Sequence, residues 1–190
     1  SLVTSKTKAI IAVHLVGRPC DMATILKVAE AHNLKVIEDC AQAHGAEYGG
    51  RKVGSMGHIG TFSFCQDKIM TTGGEGGMLT TNDKALWRLA WSYKDHGKDY
   101  DAVFGPNESD QFRWVHHSFG TNWRMTEMQA AIGLVQLGKL DKWLVRRGEN
   151  ALVLEQKLLK LPLFEVLPAF LNGRHANYKF YAFINPNALA

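Results

Sequence analysis

The stretch AIIAVHLVGRPCDMATILKVAEAHNLKVIED, residues 9–39, decides the fold that this sequence predicts. Residues 9–16 are almost continuously apolar and rich in Ile and Val, which is typical of a strand buried on both faces. Asp21 is a good N-cap, and apolar residues then recur at helical spacing as far as Asn33, which can end a helix in a left-handed conformation. Residues 34–39 form a second strand, so the stretch predicts a βαβ unit with parallel strands and a right-handed crossover.

The rest of the chain continues the alternation of strands and helices, which predicts an α/β fold. Further strands are expected at 61–65, 77–81, 164–167 and 178–184. Further helices are expected from Asp83 to about Ser92, from Thr126 with a capping box to Gln129, and from Trp143 to Lys160. The Gly-rich residues 48–60 and the aperiodic residues 95–121 are predicted to be loops.

Composition restricts the classes of protein to which the chain can belong. Its 190 residues are 46% hydrophobic and 21% charged, which is ordinary for a globular domain with one substantial core. The net charge of +4 comes from scattered Lys and Arg, so we expect no nucleic-acid partner. No apolar run approaches the roughly 20 residues of a membrane span. Three widely spaced cysteines without C-x-x-C favour a reducing, cytoplasmic location. Because the chain lacks a starting Met and enters almost directly into a strand, we expect it to be part of a longer protein.

A carboxylate stands at the carboxyl end of the second strand of the βαβ unit. Asp39 ends the run LKVIED, and in open α/β sheets ligands bind outside the carboxyl ends of the strands. A carboxylate at this edge can pair with a protonated ring nitrogen or a metal. It can equally cap a turn or satisfy loop amides, and position alone does not decide between these roles.

A Ser and a Lys follow the next strand and precede a cluster of glycines at 73–77. The Ser63 hydroxyl can donate to a phosphate oxygen, and a lysine such as Lys68 in a partly apolar pocket has a lowered pKa that frees its amine for Schiff-base chemistry. The Gly cluster is neither G-x-G-x-x-G nor a P-loop, so it predicts neither NAD nor ATP. A solvated lysine beside a plain Gly-rich turn is the structural alternative.

Histidines outside these segments are weaker candidates. His14 could face the ligand edge of the sheet, but a hydrogen-bonded core histidine is the commoner situation. His116 and His117 have the composition of a zinc pair, yet no third ligand lies at a metal-binding spacing, so we predict no metal site.

Three ordered motifs resemble the DegT/StrS family of pyridoxal-phosphate (PLP) sugar aminotransferases. Residues 38–46, EDCAQAHGA, match the family segment E-D-x-A-Q-A-x-G-A. Residues 63–77 match its S-F-x-x-x-K segment followed by G-E-G-G. Residues 120–127 match G-x-N-Y-R-M-x-E, with Trp123 in place of Tyr. The resemblance covers residues 8–151 clearly and the remainder more loosely.

The resemblance implies a fold-type I PLP-transferase large domain, a mostly parallel sheet flanked by helices, within residues 1–141. Residues 142–190 would form a linker helix and the start of a smaller C-terminal α/β domain. Members of the family are longer than this chain, so it would carry only part of an active site.

The resemblance also implies a role for each matching residue. Lys68 would hold PLP as a Schiff base and shuttle a proton. Asp39 would pair with the pyridine nitrogen, Gln42 would bond near the ring hydroxyl, and Ser63 would bind the phosphate. Asn122 would reach the phosphate in the partner subunit of a homodimer with shared active sites, although without the family it would be taken for a turn residue before a helix.

The implied reaction is ping-pong transamination, with an amino donor such as glutamate and a keto-sugar acceptor used in surface polysaccharide or lipopolysaccharide synthesis. Two alternatives stay open. One is a related PLP- or pyridoxamine-dependent sugar dehydratase, in which the lysine is typically replaced by His, so Lys68 argues against it. The other is a non-catalytic PLP-binding relative or an inert fragment.

Overall fold

The computed structural model describes residues 2–106 and 113–188 of the chain. The strands are β1 (Ala9–Val13), β2 (Lys35–Asp39), β3 (Glu47–Tyr48), β4 (Arg51–Lys52), β5 (Ile59–Ser63), β6 (Gly77–Thr80), β7 (Phe164–Val166), β8 (Gly173–Arg174) and β9 (Ala182–Ile184). The α-helices are α1 (Met22–Ala31), α2 (Lys84–Lys94), α3 (Tyr100–Phe104), α4 (Glu127–Leu137) and α5 (Leu140–Leu158). Within these two ranges, no helix is both long and apolar enough to cross a membrane.

The main sheet contains the βαβ unit predicted from the sequence. Its strand order is β1-β2-β5-β6, with the first three strands parallel and β6 antiparallel to β5. The α1 helix connects β1 to β2; its N-cap Asp21 accepts a hydrogen bond from the Thr24 amide at 3.2 Å. Asn33 lies just beyond the helix with a φ of 50°, in the left-handed region that the sequence predicted. The α/β prediction is therefore confirmed.

The first strand is shorter than the predicted 9–16, and the residues beyond it form a turn at the ligand edge of the sheet. It ends at Val13 and is followed by a 3₁₀ turn, Leu15–Gly17, in which Val16 has a φ of 57°. A β-branched residue adopts this conformation only when its surroundings enforce it. Here the Val16 amide donates to the Gln42 side-chain oxygen at 2.7 Å, so the turn ties the end of β1 to the segment after β2.

Several predicted boundaries also differ from the observed ones. The Gly-rich region contains the β3–β4 hairpin, whose two-residue loop Gly49–Gly50 has positive φ at both positions, as a type I′ turn requires. The predicted loop 95–121 contains the short helix α3, and residues 107–112 of that loop lie outside the described residues. The α5 helix starts three residues before the predicted Trp143, and the last predicted strand is limited to β9. The capping box at the start of α4 is confirmed.

Two apolar clusters form the core. One packs α1 against the main sheet and includes Met22 and Val36, which are both fully buried. The other surrounds the segment after β2 and joins Cys40 and Ala43 to Leu144 of α5 and to Ala176. The second cluster is the important one for function, because it fixes the segment that carries Gln42 against distant parts of the chain.

Candidate active site

The carboxyl ends of three parallel strands meet at one edge of the main sheet. In the strand register Val13 pairs with Asp39, and Asp39 pairs with Thr61. Ser63 is the last residue of β5, about two strand residues or roughly 7 Å beyond Thr61. The segments that follow the three strands therefore converge at this edge, which is where ligands bind in open α/β sheets.

Asp39 and Gln42 present complementary polar atoms at this edge. Asp39 is partly buried, and its Oδ1 accepts a hydrogen bond from the Ala41 amide at 3.0 Å. Gln42 Oε1 accepts from the Val16 amide, which orients the side-chain NH2 group as a donor for another partner. The edge thus holds an anionic acceptor and a fixed amide donor.

Ser63 and Lys68 lie on the turn that follows β5. Ser63 Oγ accepts from the Cys65 amide at 3.3 Å, so its own hydroxyl proton can be donated elsewhere. The Lys68 side chain is only 17% exposed, and its Nζ lies 3.6 Å from Asp67 Oδ1 and 5.2 Å from the centre of the Tyr178 ring. This turn therefore brings a hydroxyl donor and a shielded amine to the same edge.

The electrostatic surroundings of Lys68 differ from the sequence expectation. Burial alone would lower the pKa of Lys68, but Tyr178 and Asp67 outweigh it and raise the pKa above its ordinary value. The predicted lowering of the pKa of Lys68 is therefore wrong for this structure, because Tyr178 and the adjacent Asp67 carboxylate lie beside the amine where a partly apolar pocket was expected.

His44 is a site residue that sequence reasoning missed. Its side chain is buried between Phe62 and Phe64, with ring centroids 5.6 Å and 5.9 Å away. Burial, together with the charge of Lys68, lowers the pKa of His44 to about 4, and a contact with the Ser63 backbone opposes this shift. Within the described residues neither ring nitrogen has a hydrogen-bond partner of good geometry. A buried neutral imidazole beside Ser63 and Lys68 is unusual, since buried polar groups are normally bonded.

Glu38 holds the backbone around this edge. Its buried carboxylate accepts from the Gly54, Met56 and Gly57 amides at 2.6–2.8 Å and contacts His14 Nε2 at 3.1 Å. His14 is therefore a bonded core histidine, as the commoner interpretation held. The Cys40 thiol lies close enough to His14 and Glu38 for the three groups to bind a metal ion. Each carboxylate oxygen of Glu38, however, already accepts two hydrogen bonds.

Asn122 contacts residues outside the set of predicted cofactor residues. It is exposed, it pairs with Asp95 after α2, and its Oδ1 accepts from Arg124 Nε at 3.0 Å. The structure thus brings Asp39, Gln42, Ser63 and Lys68 to one edge, whereas the contacts of Asn122 are with Asp95 and Arg124.

The donor set at the strand edge fits a phosphorylated aromatic aldehyde. It combines a carboxylate for a ring N–H, an amide donor for a ring hydroxyl, a hydroxyl for a phosphate and an amine for a carbonyl carbon. The unpartnered imidazole of His44 adds a buried polar group that a ligand at this edge could satisfy.

The fold and this site define the class of protein to which the chain belongs. The model of the DegT/DnrJ/EryC1/StrS aminotransferase family matches residues 1–189, and the chain belongs to that family. The chain is 46% identical over 181 residues to GDP-perosamine synthase of Caulobacter vibrioides, and the match covers 95% of this chain and 46% of that protein. The chain therefore spans about half the length of the curated relatives that it matches.

Solved structures agree with this assignment. An aminotransferase from Psychrobacter cryohalolentis is 54% identical and superimposes with a TM-score of 0.91 over 97% of this chain and 49% of that one. GDP-4-keto-6-deoxy-D-mannose-3-dehydratase of E. coli, with bound hydrated PLP, is 28% identical, with a TM-score of 0.87 over 98% of this chain and 49% of that one. The expected fold-type I architecture is confirmed by these likenesses.

Proposed function

We propose that the protein carrying this chain is a PLP-dependent aminotransferase that moves an amino group, with glutamate as donor, onto a keto-sugar. The observation that carries the proposal is the shielded amine of Lys68 at the strand edge that also presents Asp39 and Ser63. Family membership and the likeness to a GDP-perosamine synthase support a nucleotide-linked sugar as acceptor.

Each residue of the edge has a distinct part in this proposal. PLP, when bound, supplies an electron sink for the carbon that loses or gains a proton. Lys68 would hold the cofactor through its amine and would move the proton at the substrate carbon. Asp39 keeps a proton on the ring nitrogen, because a partly buried carboxylate stabilises a cationic partner. Gln42 donates to the ring hydroxyl, and Ser63 donates to the phosphate.

We further propose that Asn122 completes the active site of a second copy of this chain in a homodimer. Its exposure supports a partner on its own surface. Nearby apolar side chains also support it, since Trp123, Met128 and Leu134 are 69%, 77% and 70% exposed. Exposed apolar surface of this kind marks protein interfaces.

The remaining details of the proposal come from the resemblance. We propose that residues 1–141 belong to the PLP-binding large domain and that residues 142–190 begin a smaller domain through α5. The amino-sugar product would serve surface polysaccharide or lipopolysaccharide synthesis, and the enzyme would act in the cytoplasm. The three free cysteines of the described residues accord with a reducing compartment.

The test is to locate a covalent PLP adduct and then identify the sugar product. The full-length protein would be mixed with PLP, reduced with borohydride and digested for peptide mass analysis. We expect the adduct on Lys68, its loss in Lys68→Ala, and its retention in the matched surface variant Lys142→Ala. With glutamate and a keto-sugar we expect an amino-sugar. A deoxygenated sugar would instead establish a dehydratase, and a bound but inert PLP would establish a non-catalytic relative.

A further inference from the structure

One carboxylate links Lys68 to a residue far along the chain. Tyr178 Oη donates to Asp67 Oδ2 at 2.8 Å, while Asp67 Oδ1 lies 3.6 Å from Lys68 Nζ. Tyr178 is 111 residues from Asp67 in sequence. The two oxygens of Asp67 thus face different partners, one a hydroxyl donor and the other an ammonium group.

The backbone of Tyr178 is held firmly enough to orient Asp67. Its amide donates to the Val16 carbonyl at 3.0 Å, and its carbonyl accepts from Arg147 at 3.4 Å. Its ring packs against the core cluster that includes Leu144 and Ala176. Asp67 itself is 60% exposed, so the hydroxyl of Tyr178 is what restricts the orientation of its carboxylate.

Other ionisable groups around Lys68 do not replace Asp67. Tyr178 and Cys65 also act on Lys68, but the pKa of each is raised, which leaves both groups uncharged at neutral pH. The charge of Lys68 lowers the pKa of the buried His44 ring. Lys179 Nζ lies 5.5 Å from the centre of the same Tyr178 ring and adds positive charge. The hydrogen bond from Tyr178 lowers the pKa of Asp67, so Asp67 is the anion that neutralises this otherwise cationic neighbourhood.

We propose that Asp67, oriented by Tyr178, is a positioning residue that binds the Lys68 ammonium group whenever the lysine is not joined to the cofactor. This inference rests on the proposed function for its consequence in the reaction, but the contact can be tested without PLP. An ion pair beside the amine keeps it protonated, so removal of the Asp67 charge makes Lys68 a free amine at lower pH. Tyr178 acts on Lys68 both directly and through Asp67, which makes the C-terminal segment part of the control of Lys68.

The experiment measures the reactivity of Lys68 in the PLP-free protein. Each protein would be labelled with limiting acetic anhydride from pH 7 to pH 11, and acetylated peptides would be quantified by mass. Exposed Lys142 in the same sample serves as internal reference. We expect Asp67→Asn to move the Lys68 midpoint down by about one pH unit, a roughly tenfold change in unprotonated amine. We expect Tyr178→Phe, which removes both the direct influence of the phenol on Lys68 and its hydrogen bond to Asp67, to move the midpoint in the same direction. We expect Glu165→Gln, which changes an exposed carboxylate, to leave it in place.

The outcomes separate this inference from the proposed function. Unchanged Lys68 midpoints in Asp67→Asn and Tyr178→Phe would overturn the inference, even if PLP still forms an adduct with Lys68. Absence of any PLP adduct in the unmodified protein would overturn the proposed function, while a shifted labelling midpoint would still establish the Asp67 contact. Circular dichroism of each variant checks folding, which the exposed position of Asp67 favours.

Discussion

His14 and Glu38 form a fully buried pair, with Nε2 of the imidazole 3.1 Å from Oε2 of the carboxylate. The Cys20 amide donates to His14 Nδ1 at 3.0 Å, so that nitrogen keeps its lone pair and Nε2 carries the proton that Glu38 accepts. With three backbone amides also donating to Glu38, this pair ties the end of β1, the end of β2 and the loop at 54–57 together. Asp39 is the next residue along, and its position depends on this arrangement.

Loss of the Glu38 charge should destabilise the fold strongly. Glu38→Gln places an NH2 group against backbone N–H donors, and we expect a loss of about 3 kcal/mol in the free energy of unfolding. Denaturant titration would measure it. Glu30→Gln, on the exposed side of α1, is the control and should change stability by less than about 0.5 kcal/mol. Equal stability of the two variants would contradict the role assigned to Glu38.

His44 should make stability fall in mild acid. Its pKa is lowered from 6.5 to about 4 by burial, so the unfolded chain binds the proton more readily within that window. Stability is therefore full above pH 6.5 and declines as the pH falls towards 4, by about 3 kcal/mol for this group. We expect His44→Phe to retain more of its neutral-pH stability at pH 4.5 than the unmodified protein does, as measured by urea unfolding at both pH values. An identical pH dependence would show that His44 is not neutral and buried.

Gly45 should tolerate no side chain. Its φ is 74°, and an added Cβ would lie 2.3 Å from Leu144 Cδ1 in α5. We expect Gly45→Ala to cost about 2 kcal/mol through backbone strain and overpacking. Gly148→Ala is the matched control, because a Cβ there meets nothing within 4 Å and the position is inside α5, where Ala should stabilise by roughly 0.5–1 kcal/mol. Thermal unfolding would compare them, and similar midpoints would refute the packing argument.

Asp39 should matter for the reaction more than for the fold. Within residues 2–106 and 113–188 its side chain makes one hydrogen bond, which it accepts from the Ala41 amide, and Asn keeps an oxygen for that contact. Loss of a charged partner to a cationic ring should cost about 2–4 kcal/mol, or roughly 30- to 10³-fold in kcat, with little change in thermal stability. Transamination rates and unfolding midpoints of Asp39→Asn would be measured together. A rate within a few-fold of the unmodified enzyme would remove Asp39 from the proposed machinery.

Local patterns in the sequence determined much of the fold. The apolar run of β1, the Asp21 cap and the helical spacing of α1 predicted the βαβ unit, because each of these signals acts within a few residues. The register of that unit then placed Asp39 at the ligand edge. Ser63 and Lys68 were found in the same way, because they follow directly on β5 and lie within a recognisable motif.

Tertiary structure alone decided which distant residues act on the site. The burial of His44 comes from packing against Phe62 and Phe64. The raised pKa of Lys68 and the contact between Asp67 and Tyr178 depend on residues near Ala176 packing, with Leu144 of α5, against the segment after β2. No local pattern encodes such contacts, because they join residues more than a hundred positions apart and arise only when separate apolar faces bury each other. Sequence determined which groups the edge can offer, and the packing of the chain decided their charge, orientation and partners.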